Sequence, residues 1–400
     1  MTAVLPLNRT GQAFYVPAFE LKLNGRTASR GLVRDLTEVT YEDSLDAIDS
    51  FLLSFNNTDT DHLRPQFIGQ GADEANWAQV QPQNGVELRM GYQGDLRLML
   101  TGYITALEVD FPESGFSKLT VRGLNVLDRF RDRQYTWSWP ASGNDRVKDS
   151  DVAEDLGQAP NSPEGHPGLA GITRVVPNPA ARGREVPQEH VFMNNQYPIV
   201  FLMRLARRNG YEVILQEDPR SSTPANPRYQ LAFGPSPEIR DRTYVLEWGK
   251  TLTSLKGTIS TAQQVKKMTV LGWDRAAKEA VRSEVTIDDP DVHVPDTVRA
   301  LARATGREEV VTDHHVTTTD QARRKAIDLL THHASRLIEV DGAVIGLPDL
   351  RAGRNVRLER VGPHLDGNYL VTSTRHVIND SGYRTTFKAR MEGAQEGGPA

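Results

Sequence analysis

The chain of 400 residues contains no cysteine. Disulfide stapling, thiol catalysis and cysteine-ligated zinc are therefore excluded. Long apolar runs are missing as well. A membrane-spanning helix needs about 18 largely apolar residues in succession, whereas the apolar patch from Tyr197 to Met203 is followed at once by charge, so no membrane span is expected. The opening stretch, MTAVLPLNRTGQ, has no basic leader and only a short, broken apolar run. No signal peptide is expected from it, and synthesis in the cytoplasm is. Nor is there an excess of basic charge: 47 Lys and Arg stand against 52 Asp and Glu, for a net charge of −5. That balance lacks the footprint of a nucleic-acid binder, and no sequence-specific nucleic acid binding is expected. What remains is an ordinary globular composition, 38% hydrophobic and 25% charged, with enough apolar material for real cores. At roughly 150 residues per domain, the length suggests two to four domains.

The dominant signal is strand alternation. Phe19, Leu21 and Leu23 alternate with Glu20 and Lys22 before an Asn24-Gly25 turn. Phe51, Leu53 and Phe55 repeat the pattern, and from Val86 to Arg122 it is sustained, with Gly91, Gly94, Gly102 and Gly115 as punctuation. This predicts an antiparallel meander with one buried face. Residues 124 to 235 differ. A helix is predicted over Asp149 to Leu156, then a Pro/Gly-rich loop over about 157–187. An amphipathic helix should follow, opening near Pro198, ending in Arg207 and Arg208, and stopped by Asn209-Gly210. YEVILQED and YQLAFG read as a strand pair after it. Strands return at TYVLEWG, SLKGTIS and VKKMTVLGWD. A helix is predicted over about 319–338, opened by Thr318 and Gln321 at capping-box spacing, and a second meander runs from after Gly342 to near Arg390.

The two meanders resemble one another. Val86-Glu87-Leu88-Arg89 answers Val356-Arg357-Leu358-Glu359, and Ser114-Gly115-Phe116 answers Ser381-Gly382-Tyr383. The glycine spacing is 13 in one copy (102 to 115) and 15 in the other (367 to 382). Two readings stay open: shared turn chemistry, since Ser-Gly turns are common in hairpins, or two related β-barrels in one chain. Two related barrels per chain let a trimer present six near-equivalent units around an axis.

No constellation for chemistry stands out, and no catalytic, cofactor-binding or metal-ligating residue is predicted. Asp313, His314 and His315, and the adjacent pair His332 and His333, invite a metal reading. Neighbouring helix residues point about 100° apart, and no further ligand has sensible spacing, so solvated or interface histidines are expected. NNTDTDH, from Asn56 to His62, lacks the glycine and closing glutamate of a calcium loop. Asp288, Asp289 and Asp291 read as solvated acids. Trp248 and Trp273, each beside a glycine, read either as contact anchors or as buried core.

Taken in order, FELKLNG with LDAIDSFLLSFNN, GYQG with LTGYITALE, LTVRGLNVLDRF, DSDVAEDLG, FMNNQYPIVFLMRLARRNGYEV, MTVLGWD and the long C-terminal stretch from Gly346 to Gly393 resemble the late control protein D family of phage tails. That family includes the hub portion of VgrG-type spikes and the hubs of extracellular contractile injection systems. The resemblance spans roughly residues 19–393. It implies a mainly β fold with an α+β insert: two related tube-like antiparallel β-barrels plus a smaller mixed α/β middle domain. Residues 1–123 would form the first barrel, 124–240 the middle domain, 241–393 the second barrel, and 394–400 a flexible tail. It also implies a non-enzymatic homotrimeric baseplate hub incorporated in a phage tail or injection particle. The implied partners are an inner tube protein, a separate spike protein and baseplate wedge proteins, and edge strands of neighbouring subunits would complete sheets across interfaces. The alternative classes are a tail-tip cell-wall hydrolase and a carbohydrate- or receptor-binding module.

Overall fold

Alternating sequences bury one face and leave backbone donors and acceptors to be paired sideways, so they assemble into sheets. The computed structural model describes residues 3–6, 16–62, 64–69, 72, 74–113, 115–140, 146–158, 165–188, 190–221, 228–235, 242–262, 264–274, 277–292, 294–312, 316 and 318–391. It is 49% strand and 18% helix, so the chain is mainly β, as its alternation predicts. The first stretch carries β1 (Ala3–Pro6), β2 (Pro17–Leu23), β3 (Arg26–Thr27), α1 (Arg30–Asp35), β4 (Leu36–Ser44), β5 (Ser50–Asn56), β6 (Thr58–Asp59), β7 (Arg64–Pro65), α2 (Glu74–Val80), β8 (Gly85–Tyr92), β9 (Asp95–Asp110) and β10 (Lys118–Asn125). A 3-10 turn at Val126–Phe130 leads to β11 (Tyr135–Trp139), α3 (Asp149–Leu156), β12 (Ile172–Pro177), α4 (Pro179–Arg182), β13 (Val191–Gln196), α5 (Pro198–Arg208), β14 (Glu212–Glu217) and β15 (Tyr229–Gly234). The remainder holds β16 (Arg242–Glu247), β17 (Leu252–Ile259), β18 (Lys267–Asp274), β19 (Glu279–Thr286), α6 (Asp296–Arg303), β20 (Glu308–Thr312), α7 (Thr319–Ser335), β21 (Ile338–Ile345), β22 (Asn355–Glu359), β23 (Gly367–Asn379) and β24 (Gly382–Met391).

Fourteen of these strands form one large sheet. Among the described residues it does not close on itself, so the expected pair of tube-like barrels is not shown within one copy. What the chain has is open, largely antiparallel sheet, because β9 over its C-terminal half and β17 each lack a ladder partner on one side among the described residues. Three apolar clusters are buried in the fold. One gathers Leu21, Tyr41, Phe51, Leu88 and Val121; Ile378 and Tyr383 from the far end of the chain join it. A second joins α3 and α5 through Val152, Leu156, Phe201 and Leu205 to Leu231 and Phe233 of β15. The third packs α7 through Ala322, Ala326 and Leu330 on Met268, Val270 and Val285 of β18 and β19, and extends to Val340, Val356 and Phe387.

The helices follow their sequence signals. Pro198 opens α5 at a position whose N–H needs no partner, its apolar side is buried, and Gly210 leaves it at φ +67°. Thr318 Oγ1 accepts from Gln321 N while the Gln321 side chain accepts from Thr318 N, the reciprocal cap that the spacing predicts. The helix stops at Ser335 instead of Ile338, because Leu337 and Ile338 are fully buried and Ile338 already belongs to β21. The stretch read as a loop over 157–187 contains β12, paired parallel with β15, and α4. Ile172 and Val175 are buried there, and strand pairing offsets the ordering of that segment. Residues 159–164 of that stretch and residues 394–400 lie outside the described residues.

Candidate functional site: a strand strip and its buried joint

Within the large sheet, eight strands run side by side in the order β17-β21-β24-β23-β4-β5-β10-β9, and every neighbouring pair is antiparallel. The strip joins the two ends of the chain where β23 meets β4, in register from Ser373 opposite Ser44 to Asn379 opposite Glu38. One face is polar. Arg375 Nη1 is 3.4 Å from Glu42 Oε1 across the joint. Lys388 Nζ is 3.6 Å from Asp341 Oδ1. Arg122 donates twice to Glu108, at 3.0 and 3.1 Å. Exposed pairs of this kind contribute little stability. Their effect is to give a broad surface of mixed sign, with a shallow concavity between Glu42, Ser254, Lys256, Asp341, Arg375 and Lys388.

Beneath the joint, the inward face is polar where a core should be apolar. Asp43 accepts from Ala352 N at 3.0 Å and from Thr374 N at 3.2 Å, and pairs with the Thr374 hydroxyl. Burial pushes its carboxyl above the usual carboxylate range, against the pull of Arg351. Arg351 donates to the carbonyls of Pro348 at 2.9 Å and Leu98 at 3.0 Å, with its guanidinium 4.5 Å from the Tyr41 ring centre. His376 is wholly buried. Its Nε2 is 2.9 Å from the Leu350 carbonyl, which can only accept, so Nε2 carries the hydrogen. Nδ1 then accepts from the Tyr383 hydroxyl at 3.0 Å. Burial first, and the Arg351 charge second, hold the imidazole well below its ordinary range. Two further contacts fasten the joint. Tyr92 donates to the Gly346 carbonyl at 2.9 Å. Arg207 of α5 ion-pairs with Asp49 and donates to the Ala47 carbonyl at 2.8 Å. The network ties strands from both ends of the chain to the helical middle through buried, partnered groups. Its chemistry is that of a rigid joint.

Among the described residues no group of three or more His, Asp or Glu side chains is placed to hold a metal ion. Asp313, His314 and His315 lie outside the described residues, as does the side chain of His332. His333 Nε2 is 3.6 Å from Glu309. In the Asn56 to His62 stretch, Asn57 is buried and accepts from Phe67 N at 2.8 Å, and Asp59 accepts from His62 Nδ1 at 2.8 Å, so these side chains organise a loop. Arg323 clamps Asp289 at 2.9 Å through both oxygens and Asp291 at 2.7 Å, in place of simple solvation. Trp248 is 50% and Trp273 48% exposed, which removes the core reading of both. The matching of Phe116 with Tyr383 also fails. Phe116 is 59% exposed in the turn before β10, whereas Tyr383 is buried within β24; Ser114 lies outside the described residues. Sequence reading missed Asp43, Arg207, Arg351 and His376. For Asp43 and His376 the signal was a polar residue at an inward position of an alternating strand.

The family model of the Alg8 N-terminal domain matches residues 235–380, less than half of the chain. Among curated proteins nothing matches. Among solved structures, the 43 kDa tail protein of prophage MuSo2 from Shewanella oneidensis is similar at 17% identity and a TM-score of 0.58, over 94% of this chain and 98% of that one. A tail protein from Neisseria meningitidis MC58 is 13% identical with a TM-score of 0.55, over 94% and 97%. A weaker likeness, TM-score 0.45 at 13% identity over 95% and 79%, is to the Escherichia coli c3393 protein, a component of the type VI secretion system. The sequence resemblance is thus matched at the level of fold: the chain has the fold of phage tail proteins.

Proposed function

We propose that the protein is a structural component at the centre of a tail or injection-device baseplate: the hub that joins a hexameric inner tube to a trimeric spike. The observation that carries this reading is the eight-strand antiparallel strip, built from two halves of one chain across an internal joint, in a phage-tail fold. In a homotrimer such strips supply six similar units, and the two barrel-like regions expected at residues 1–123 and 241–393 are completed between copies, with residues 124–240 as the middle domain. Inner tube, separate spike and baseplate wedge proteins are the partners, and no bond-making residue is required.

The test is a pull-down of the tagged chain from its native cell, with the co-purifying chains identified by mass spectrometry and the assembly weighed in native form. Recovery in three copies with tube, sheath and spike-like chains supports the hub. Recovery as a lone monomer overturns it. A second reading, an enzyme related to glycosyl transfer, rests on the match of residues 235–380 to the Alg8 N-terminal domain. Calorimetric titration with nucleotide-activated sugars separates the two, since a hub takes up none.

A further inference from the structure

Beside the buried joint the chain leaves a cavity of about 200 Å³. Its lining comes from β4, from residues 98–101 of β9, from α5 and β14 of the helical middle, and from Arg351 and Ala352 near the other end of the chain. Leu98, Leu100, Met203 and Leu215 make apolar walls. Two features of the lining are out of keeping with a purely structural gap.

The first is the pair Tyr41 and Arg351. Arg351 is 4% exposed. Its guanidinium donates to the carbonyls of Pro348, Met99 and Leu98 and to the Met99 sulfur. All of these acceptors are uncharged, and Arg351 makes no ion pair among the described residues. Two nearby acids are already engaged, Asp43 by Ala352 N and Thr374, and Asp49 by Arg207. A buried guanidinium with no carboxylate in contact is costly to keep. Tyr41 is 1% exposed, yet its hydroxyl makes no hydrogen bond among the described residues, whereas buried hydroxyls ordinarily find a partner. Burial pushes that phenol well above its ordinary pKa, so it stays an O–H donor. A guanidinium and a hydroxyl together are a donor set for a carboxylate.

The second feature is Glu212 of β14. It is half-buried and lines the same cavity, and its carboxylate makes neither an ion pair nor a hydrogen bond among the described residues. A carboxylate in this position accepts from an ammonium group. One small cavity therefore presents an unmatched cation with a spare hydroxyl, an unmatched anion, and apolar wall.

We propose that this cavity binds a small zwitterion of amino-acid size, its carboxylate held by Arg351 and the Tyr41 hydroxyl, its ammonium by Glu212, and its hydrocarbon part against Leu100 and Met203. A simple anion leaves Glu212 facing like charge. A simple cation leaves Arg351 and Tyr41 without a partner. The volume lies below the range of about 300–1,000 Å³ that drug-sized ligands occupy, so a molecule of few atoms is what fits. Because the lining draws on both ends of the chain and on its helical middle, a bound molecule touches all three. Binding to the folded chain alone adds stability, and here it adds it where the middle is fastened to the strip. The site is independent of the hub reading and stands or falls without it.

The test is calorimetric titration of the full chain at neutral pH with glycine, 4-aminobutyrate and 6-aminohexanoate, zwitterions of increasing length, beside the matched acids and amines that lack one charge. At least one zwitterion should bind and raise the melting temperature. Its matched acid should bind several-fold more weakly, and its matched amine not at all. Tyr41→Phe removes only the hydroxyl and Glu212→Gln only the charge; each should weaken the zwitterion several-fold, and Glu212→Gln should bring the zwitterion and its matched acid level. Unliganded melting temperatures no lower than the parent's show that both variants are folded. Binding by none of the three zwitterions, or binding that neither substitution weakens, overturns the site. A matched acid that binds the parent as tightly as its zwitterion also overturns it, since Glu212 then holds nothing.

Discussion

Gly342 lies directly opposite Phe387 across the β21–β24 pair, and the phenyl ring sits over the glycine where a side chain would go. Glycine here supplies space, not conformational freedom: the three atoms nearest to a methyl group at position 342 are all ring atoms of Phe387. Gly342→Ala should therefore destabilise the chain by about 1–3 kcal/mol, the range for overpacking a well-filled core. Phe387→Leu in the same chain should recover part of the loss, a coupling that a double-mutant cycle in denaturant reads directly. Gly123→Ala should not be recovered by Phe51→Leu, because a Cβ there also meets the backbone carbonyl of Tyr103.

Arg207 and Asp49 are each less than 10% exposed and bridge α5 to the turn between β4 and β5. Removing one member leaves the other charge buried without its partner. Arg207→Ala should cost about 3–5 kcal/mol, and adding Asp49→Ala should cost less than the sum of the two single changes. Because this pair fastens the helical middle to the strip, limited proteolysis of Arg207→Ala should release a fragment from residues 124–240 before the strands are cut.

Much of this fold was legible because alternation and caps are local signals. Leu21, Leu23, Phe51, Leu53, Phe55, Val86, Leu88 and Val121 are buried as their spacing predicts. Thr318 and Gln321 cap α7 as theirs does. The exceptions have physical causes. A register shift between Leu88 and Arg89 turns Met99 inward, against the alternation of Leu96, Leu98 and Leu100. Arg207 sits where a helix-terminal charge reads as solvent-facing, and only the arrival of Asp49 from 158 positions away makes its burial sustainable. His376 and Arg351 are set by partners on other strands. The repeat within the chain left shared turn chemistry and two related barrels both open, and the resemblance implied the barrels; the strands of both meanders join one large sheet that stays open among the described residues, a pairing between positions far apart in the chain that local alternation does not announce.

His376 gives the joint a pH dependence of definite sign. Burial, and then the Arg351 charge, hold its imidazole well below the ordinary value. The unfolded chain takes up a proton near pH 6.5, while the folded chain stays neutral there. As pH falls from about 6.5 towards the folded value, the unfolded state gains the proton and stability drops; above about 6.5 the contribution is fully present. Neighbouring Asp43 works in the opposite sense, since burial raises its carboxyl and the native state takes that proton first. The histidine is isolated by comparison with His376→Gln. The melting-temperature gap between parent and variant should shrink as pH is lowered from about 7.5 to about 5.5. A gap independent of pH would mean that the imidazole is already protonated or already exposed in the native state.

Glu108 separates stability from assembly. It is 60% exposed at the side chain, and its pair with Arg122 lies on the open face of the strip. Glu108→Lys should therefore shift folding stability by no more than about 1 kcal/mol, the range for exposed pairs. In the proposed hub, where the open edges of β17 and β9 are completed between copies, the same change brings the new lysine near Lys256 of the next copy, where like charges are unfavourable. Self-association should weaken several-fold, and the defect should ease as salt screens the repulsion. Lys256→Glu should fail on its own in the same way. Mixing the two variants makes every contact between unlike copies attractive again, so sedimentation should recover association in the mixture that neither variant shows alone. Equal association by parent and Glu108→Lys at low salt would place the contact between copies elsewhere on the chain.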